Sequence, residues 1–162
     1  MTSIPRTHLT VAAVIERHNR FLLVEERVSG RNVINQPAGH VETGEPLLDA
    51  VVREVREETA WDFSPVAIIG VYLWEHPVSC ERFLRVVFGG SCSNHDATQP
   101  LDDGILRALW MSKDDLLARG DDVRSPMVMR AIDDYEAGTR YPVTMFQHIE
   151  LADLVEHAQI VG

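Results

Sequence analysis

Residues 39–61 read GHVETGEPLLDAVVREVREETAW, and the middle of this stretch predicts a helix. Pro46 suits a first helical turn, where a missing N–H is no loss, and Leu47 to Thr59 contains neither Gly nor Pro. At about 100° per residue, Glu54, Glu57 and Glu58 stand at i, i+3 and i+4 and gather in one arc. Leu48, Val51, Val52 and Val55 fill a neighbouring arc, the expected stripe for packing on a sheet, separate from the acids. Ala50 lies beside the acidic arc. Arg53 and Arg56 take the remaining side, with Arg53 one helical turn before Glu57 and within reach of an ion pair.

Three like charges on adjacent turns repel, each i,i+4 pair costing a few tenths of a kcal/mol. A hard dication with oxygen ligands offsets that repulsion, and Mg²⁺ accepts a few carboxylates while keeping waters and phosphate oxygens in its shell. Gly39 has no β-carbon, so its backbone can approach a metal or phosphate and offer a carbonyl oxygen; Gly44 gives similar freedom before the helix. The matching chemistry is attack of an activated water on phosphorus, with a carboxylate taking the proton. Spacing alone fits a solvated acidic helix face equally well.

The wider pattern resembles the Nudix box, G-x5-E-x7-R-E-U-x-E-E-x-G-U with U aliphatic. Gly39, Glu45, Arg53, Glu54, Val55, Glu57 and Glu58 fall in register. Ala60 stands where the family has Gly, which predicts an altered helix exit, and Trp61 replaces a smaller aliphatic residue. The resemblance implies a Nudix α/β/α sandwich, with the Gly39 carbonyl, Glu57, Glu58 and Glu54 around Mg²⁺ or Mn²⁺. It also implies Glu45 as a supporting acid at the loop–helix junction, and Arg53 as part of the catalytic set.

Outward from the box, LTVAAVIE and FLLVEERV flank Arg17-His18-Asn19-Arg20 and read as a β-hairpin over Leu9 to Val28. Pro37 and Gly39 should end regular pairing and open a loop. After the helix, Trp61 to Pro65 breaks the pattern, and Val66–Glu75, Phe83–Cys92 and Ile105–Met111 are strand-like. Ser112 starts a short helix running through Ala118, Ser125-Pro126 starts another that Gly138 ends, and residues 150–158 suggest a last one. Strands grouped on both sides of one central helix give an α/β class, a mixed sheet flanked by helices, as one domain over residues 1–162. The tail 145–162 has no assigned role.

Hydrophobic residues at 45% and charged residues at 25% describe an ordinary globular chain. The net charge of -10 repels nucleic acid polymers and anionic membranes, while a small phosphorylated metabolite or nucleotide stays compatible through a local cation. Cys80 and Cys92 lack metal-ligand spacing and read as reduced, small apolar fillers on strand segments. The apolar run Val11–Ile15 is too short for a secretory signal, which points to the cytoplasm. Oligomeric state has no sequence signature here.

Several residues outside the helix are candidate substrate contacts. Gln36 and His40 flank the expected metal loop, and His40 suits either a phosphate donor or a structural hydrogen bond. Trp74 suits stacking on a base or a place at the core rim. Arg85 lies within the apolar run FLRVVF, where an arginine needs a partner or a cleft. Arg124 and Arg140 each stand two residues before a proline, in RSP and RYP, and suit either the border of the cleft or surface ion pairs. Nudix enzymes often carry an extra acid in the loop that here holds Asp102 and Asp103.

The segments HLTVAAVI, NQPAGHVE, FLRVVF, TQPLDD, RSPMV and GTRYPV resemble bacterial phosphatases of that family. This likeness implies action on nucleoside di- and triphosphates and on hydroxymethylpyrimidine diphosphate. Alternatives are an ADP-ribose or nucleoside-diphosphate-sugar pyrophosphatase, and a nucleoside triphosphate pyrophosphohydrolase. A catalytically inactive nucleotide-binding module predicts a lost box carboxylate, and Glu54, Glu57 and Glu58 are all present.

Overall fold

The computed structural model describes residues 6–149. Its strands are β1 (Thr7–Arg17), β2 (Arg20–Val28), β3 (Arg31–Asn35), β4 (Ala38–His40), β5 (Asp62–Glu75), β6 (Arg82–Ser93) and β7 (Ile105–Met111). The helices are α1 (Leu47–Thr59), α2 (Lys113–Leu117) and α3 (Pro126–Glu136). β1 runs parallel to β6 from Thr7 to Ile15 and antiparallel to β4 at Thr10–Ala12, and it turns into β2 at Arg17↔Arg20. β5 pairs antiparallel with β6, while β2 carries both β3 and β7.

Alternation along β1 separates two cores. Val11, Ala13 and Ile15 pack with Ala50, Val51 and Val55 of α1, whereas Ala12 and Val14 pack with Val128, Ala131 and Ile132 of α3. Helices therefore cover both faces of a mixed sheet, the α/β/α sandwich expected.

Several expectations are corrected. Pro37 and Gly39 do not open a loop: Gly39 sits in β4 opposite Val11, because β4 fills the edge of β1 before β2 begins to pair. The break expected at Trp61–Pro65 is also absent, since β5 starts at Asp62. Pro65 is accommodated because β5 ends the strand order and the pairing register shifts at Pro65/Ala67. Tyr141 then bridges Ile68 through two 2.8 Å backbone hydrogen bonds, occupying part of that edge.

Ala60 adopts the left-handed conformation itself, with φ 59°, and its N–H donates to the Arg56 carbonyl at 3.0 Å, so the helix exit keeps the glycine-like form. Trp61 has a packing role: with Trp110 it flanks the Arg17 guanidinium, 4.8 and 5.2 Å from the two ring centroids. Cys92 is buried in β6, but Cys80 is exposed in the turn before it and fills no core. Ser112 caps α2 with a capping box, and Gly138 follows α3 with φ 82°. The helix suggested at residues 150–158 lies outside the described residues. Among the described residues no helix is long and apolar enough to cross a membrane.

Candidate active site

Arg53 organises the acids of α1. Its Nε donates to Glu45 Oε1 at 2.7 Å and its Nη2 to Glu45 Oε2 at 2.9 Å, a two-pronged clamp on the residue before Pro46. Its Nη1 donates to Glu54 Oε1 at 2.8 Å and to Glu57 Oε2 at 3.0 Å, and Nη2 also reaches the His40 carbonyl at 3.1 Å. One guanidinium thus ties the β4 exit to three carboxylates. Arg53 is held firmly protonated, first by its bond to Glu45, and that same bond draws the Glu45 pKa down.

The helical wheel placed the acids apart from the core anchors, and the structure corrects this. Glu54 and Glu58 are each only 7% exposed and share the buried face with Val51 and Val55, while Val52 is exposed. α1 packs its apolar residues on the sheet, and Glu54 and Glu58 are turned onto the β4 backbone beside them. Glu58 Oε2 accepts the Ala38 N–H at 2.8 Å. A β-carbon on Gly39 would fall on the Glu54 carboxyl group, so glycine is required there for the helix to approach.

Burial raises the Glu58 pKa to about 9, with further upward pressure from Glu54, Glu26 and Asp102, against which the Ala38 hydrogen bond is insufficient. Burial also raises Glu54, opposed by Arg53. Among the described residues no three His, Cys, Asp or Glu side chains already converge as a metal cage, and Glu54 and Glu57 are turned toward Arg53. The donor set nevertheless fits a hard cation: oxygen ligands only, two of them buried and mutually repelling.

The remaining candidates divide between two places. The Asp102 N–H donates to the Glu57 carbonyl at 2.9 Å, and the Asp102 charge acts on both Glu54 and Glu58; Asp102 and Asp103 are both exposed. Gln36 is 1% exposed with both side-chain polar atoms unpartnered. His40 turns its ring away from α1, its Nε2 3.2 Å from His8 Nδ1, and burial, then His8 and Arg85, lower its pKa.

Trp74 and Arg85 lie on the sheet face opposite α1, where register aligns Thr10, Arg85 and Tyr72 in one row and His8, Phe83 and Trp74 in the next. The rings of His8 and Phe83 stack at 5.0 Å, and those of Phe83 and Trp74 at 6.0 Å. Trp74, Phe83, Arg85, Arg124, Ser125 and Met127 help line a cleft of about 240 Å³. Arg140, expected in an ion pair, instead donates to the Tyr135 and Thr139 carbonyls and lies over the Tyr135 ring.

The NUDIX domain model matches residues 6–131. The chain belongs to the Nudix family. Its sequence is 38% identical to phosphatase NudJ of Escherichia coli K12 over 140 residues, covering 86% of this chain and 90% of that one. Its fold superimposes on a Nudix hydrolase from Nitrosomonas europaea with a TM-score of 0.87 and 43% identity, over 89% and 98% of the two chains. The Nudix domain of Shewanella oneidensis NrtR, solved with ADP-ribose, shares the fold alone, with a TM-score of 0.67 and 17% identity over 83% and 90% of the chains. This Nudix chain is a hydrolase acting on phosphoanhydride bonds, in a family that uses divalent metal ions.

Sequence reasoning passed over two residues. Glu26 follows a register shift in β2, accepts from Asn35 Nδ2 at 3.0 Å, and pairs with Arg124 Nε at 3.5 Å. Asn35 Oδ1 in turn accepts from Arg85 Nη1 at 3.4 Å, and the Glu26 charge acts on Glu58. The only sequence signal was the consecutive Glu25-Glu26 inside an apolar strand, since alternation turns one of any such pair inward.

Proposed function

We propose that the chain is a magnesium-dependent phosphatase of small diphosphates and of nucleoside di- and triphosphates, with Mn²⁺ as a substitute. The observation that carries the reading is the buried pair Glu54 and Glu58 beside Glu57: burial holds protons on the pair, and a divalent cation would supply the positive charge that ionises them. The 38% identity to NudJ over most of both chains supports the phosphatase assignment.

Glu54, Glu57, Glu58 and the Gly39 carbonyl would hold the ion. Once bound, it supplies neutralisation of the phosphate oxygens and a water of lowered pKa. Arg53 keeps Glu45, Glu54 and Glu57 in register, so little conformational freedom is lost when substrate arrives. Glu54 receives the proton of the attacking water on a carboxylate oxygen, a role that suits a carboxyl whose pKa is raised by burial. Asp102 adds negative charge at the same end of α1. On the far side of the sheet, Arg85 contacts phosphate and Trp74 stacks on the organic ring, while His40 reaches that side through His8, which stacks on Phe83. The whole chain, residues 1–162, works as one domain.

A panel of diphosphates, nucleotides and ADP-ribose incubated with Mg²⁺ and scored for each product tests this reading. Orthophosphate from diphosphates is the expected outcome. Pyrophosphate from triphosphates, or AMP with ribose 5-phosphate from ADP-ribose, as the principal product would replace it with a pyrophosphohydrolase.

A further inference from the structure

Arg85 is 7% exposed, and among the described residues no carboxylate lies within 4.0 Å of it. Its contacts are to neutral oxygens, Thr10 Oγ1 and Asn35 Oδ1, both at 3.4 Å, longer than the 2.7–2.9 Å typical of a charge-assisted bond. Burial lowers its pKa only to about 10, so it is charged at neutral pH. A buried guanidinium so weakly satisfied, in the wall of a cleft, is a cation awaiting an anion.

The N-terminus of α3 borders the same cleft. Ser125 occupies the N-cap position, where serine normally accepts a first-turn N–H, yet it makes no capping bond. Ser125 is 6% exposed and its Oγ has no hydrogen-bond partner. Pro126 carries no N–H and the Val128 N–H donates to the Ser125 carbonyl at 3.2 Å, so no side chain caps this 11-residue helix and the Ser125 hydroxyl beside it stays unpartnered. Arg124, the next residue back, lines the cleft as well, and its backbone is anchored to β3 through a 2.8 Å bond to the Ile34 carbonyl. Glu81 is the carboxylate in the lining; it is about half exposed and engaged by Ser79 and His8.

We propose that Arg85, Arg124, Ser125 and the α3 N-terminus form an oxyanion subsite for the phosphoryl group that stays on the organic half of the substrate. The inference rests on the phosphatase reading and extends it. Arg85 bonds Asn35 at the end of β3, and three residues on the Ala38 N–H donates to Glu58, so a phosphate held by Arg85 lies one short chain segment from the scissile one at the α1 acids. The Trp74–Phe83 stack beside it receives a flat ring attached to that phosphate. The monophosphate product therefore retains affinity for the subsite without any metal.

The test is calorimetric titration of the full-length protein in EDTA with a nucleoside monophosphate, its parent nucleoside and inorganic phosphate. The expected result is that the monophosphate binds at least about ten-fold more tightly than the nucleoside, that Arg85→Met and Arg124→Gln each weaken it by about ten-fold, and that Ser125→Ala weakens it by about three-fold. Arg140→Gln leaves it unchanged. Equal affinity for nucleoside and monophosphate, or unaltered binding in Arg124→Gln and Ser125→Ala, overturns the subsite; those two variants carry the test if Arg85→Met does not fold. Orthophosphate release with Mg²⁺ is scored separately. Metal-free binding as expected with no release from any diphosphate sinks the phosphatase reading alone, and release without phosphate-dependent binding sinks the subsite alone.

Discussion

The two faces of the sheet carry opposite unfinished charge. On the α1 side Glu54 and Glu58 are buried with too little positive charge nearby, so their protons are held above the usual carboxylate range. On the α3 side Arg85 is buried with no carboxylate in salt-bridge distance. Burying a charge is unfavourable unless it is paired. Under the proposed function a metal–phosphate complex would complete both halves, with a cation for one face and an oxyanion for the other. Asn35 and Glu26 extend the hydrogen bonding of the Arg85 side: Arg85 donates to Asn35, and Asn35 donates to Glu26.

The largest expected effect comes from depriving the acidic half of its cation. Chelation with EDTA abolishes phosphate release, and Mg²⁺ or Mn²⁺ restores it; release that continues in EDTA breaks the comparison outright. Next, Glu57→Gln and Glu58→Gln each lower kcat by about 10²–10⁴-fold, with circular dichroism unchanged. Near-normal turnover in either purified variant would remove that residue from the site.

Gly39→Ala drives a methyl group onto the Glu54 carboxyl. Either β4 or the Glu54 side chain must shift, and kcat falls by about ten- to one-hundred-fold. A variant with wild-type kcat would show that the close approach of β4 to α1 is not needed for catalysis.

The smallest effect is on stability without metal. Glu58 has a folded-state pKa of about 9 against an ordinary 4.5, so folding favours its protonated form. The stability it gives the fold is complete below about pH 4.5 and is lost as pH rises through about 9. In EDTA the wild-type Tm therefore declines across this window more steeply than that of Glu58→Gln. At pH 9 the variant melts about 5 °C higher. Parallel curves for the two proteins would mean that Glu58 is not strained by burial.

Much of the acidic half was legible in sequence because α1 is local. Helical periodicity brings Glu54, Glu57, Glu58 and Arg53 together within two turns, and the Arg53–Glu57 pair formed as that spacing predicts. The wheel still misjudged depth, placing Val52 inside and the acids apart from the buried stripe. Periodicity tells which residues share a face, not which neighbour that face meets. The basic half was less legible. Trp74 and Arg85 stood out as unusual residues in apolar strands, but nothing joined them to Ser125, which reads in sequence as an ordinary helix cap.

By itself, the sequence determined the α/β class, the central helix and the register of its carboxylates, because each follows from side-chain spacing along a few turns or one strand. Only the tertiary structure decided that β4 forms against β1, that Glu54 and Glu58 are buried against it, and that Arg85, Arg124 and Ser125 converge beside Trp74. Those outcomes depend on strand register and helix docking between segments far apart in the chain, where the burial of charge is set by what packs against it.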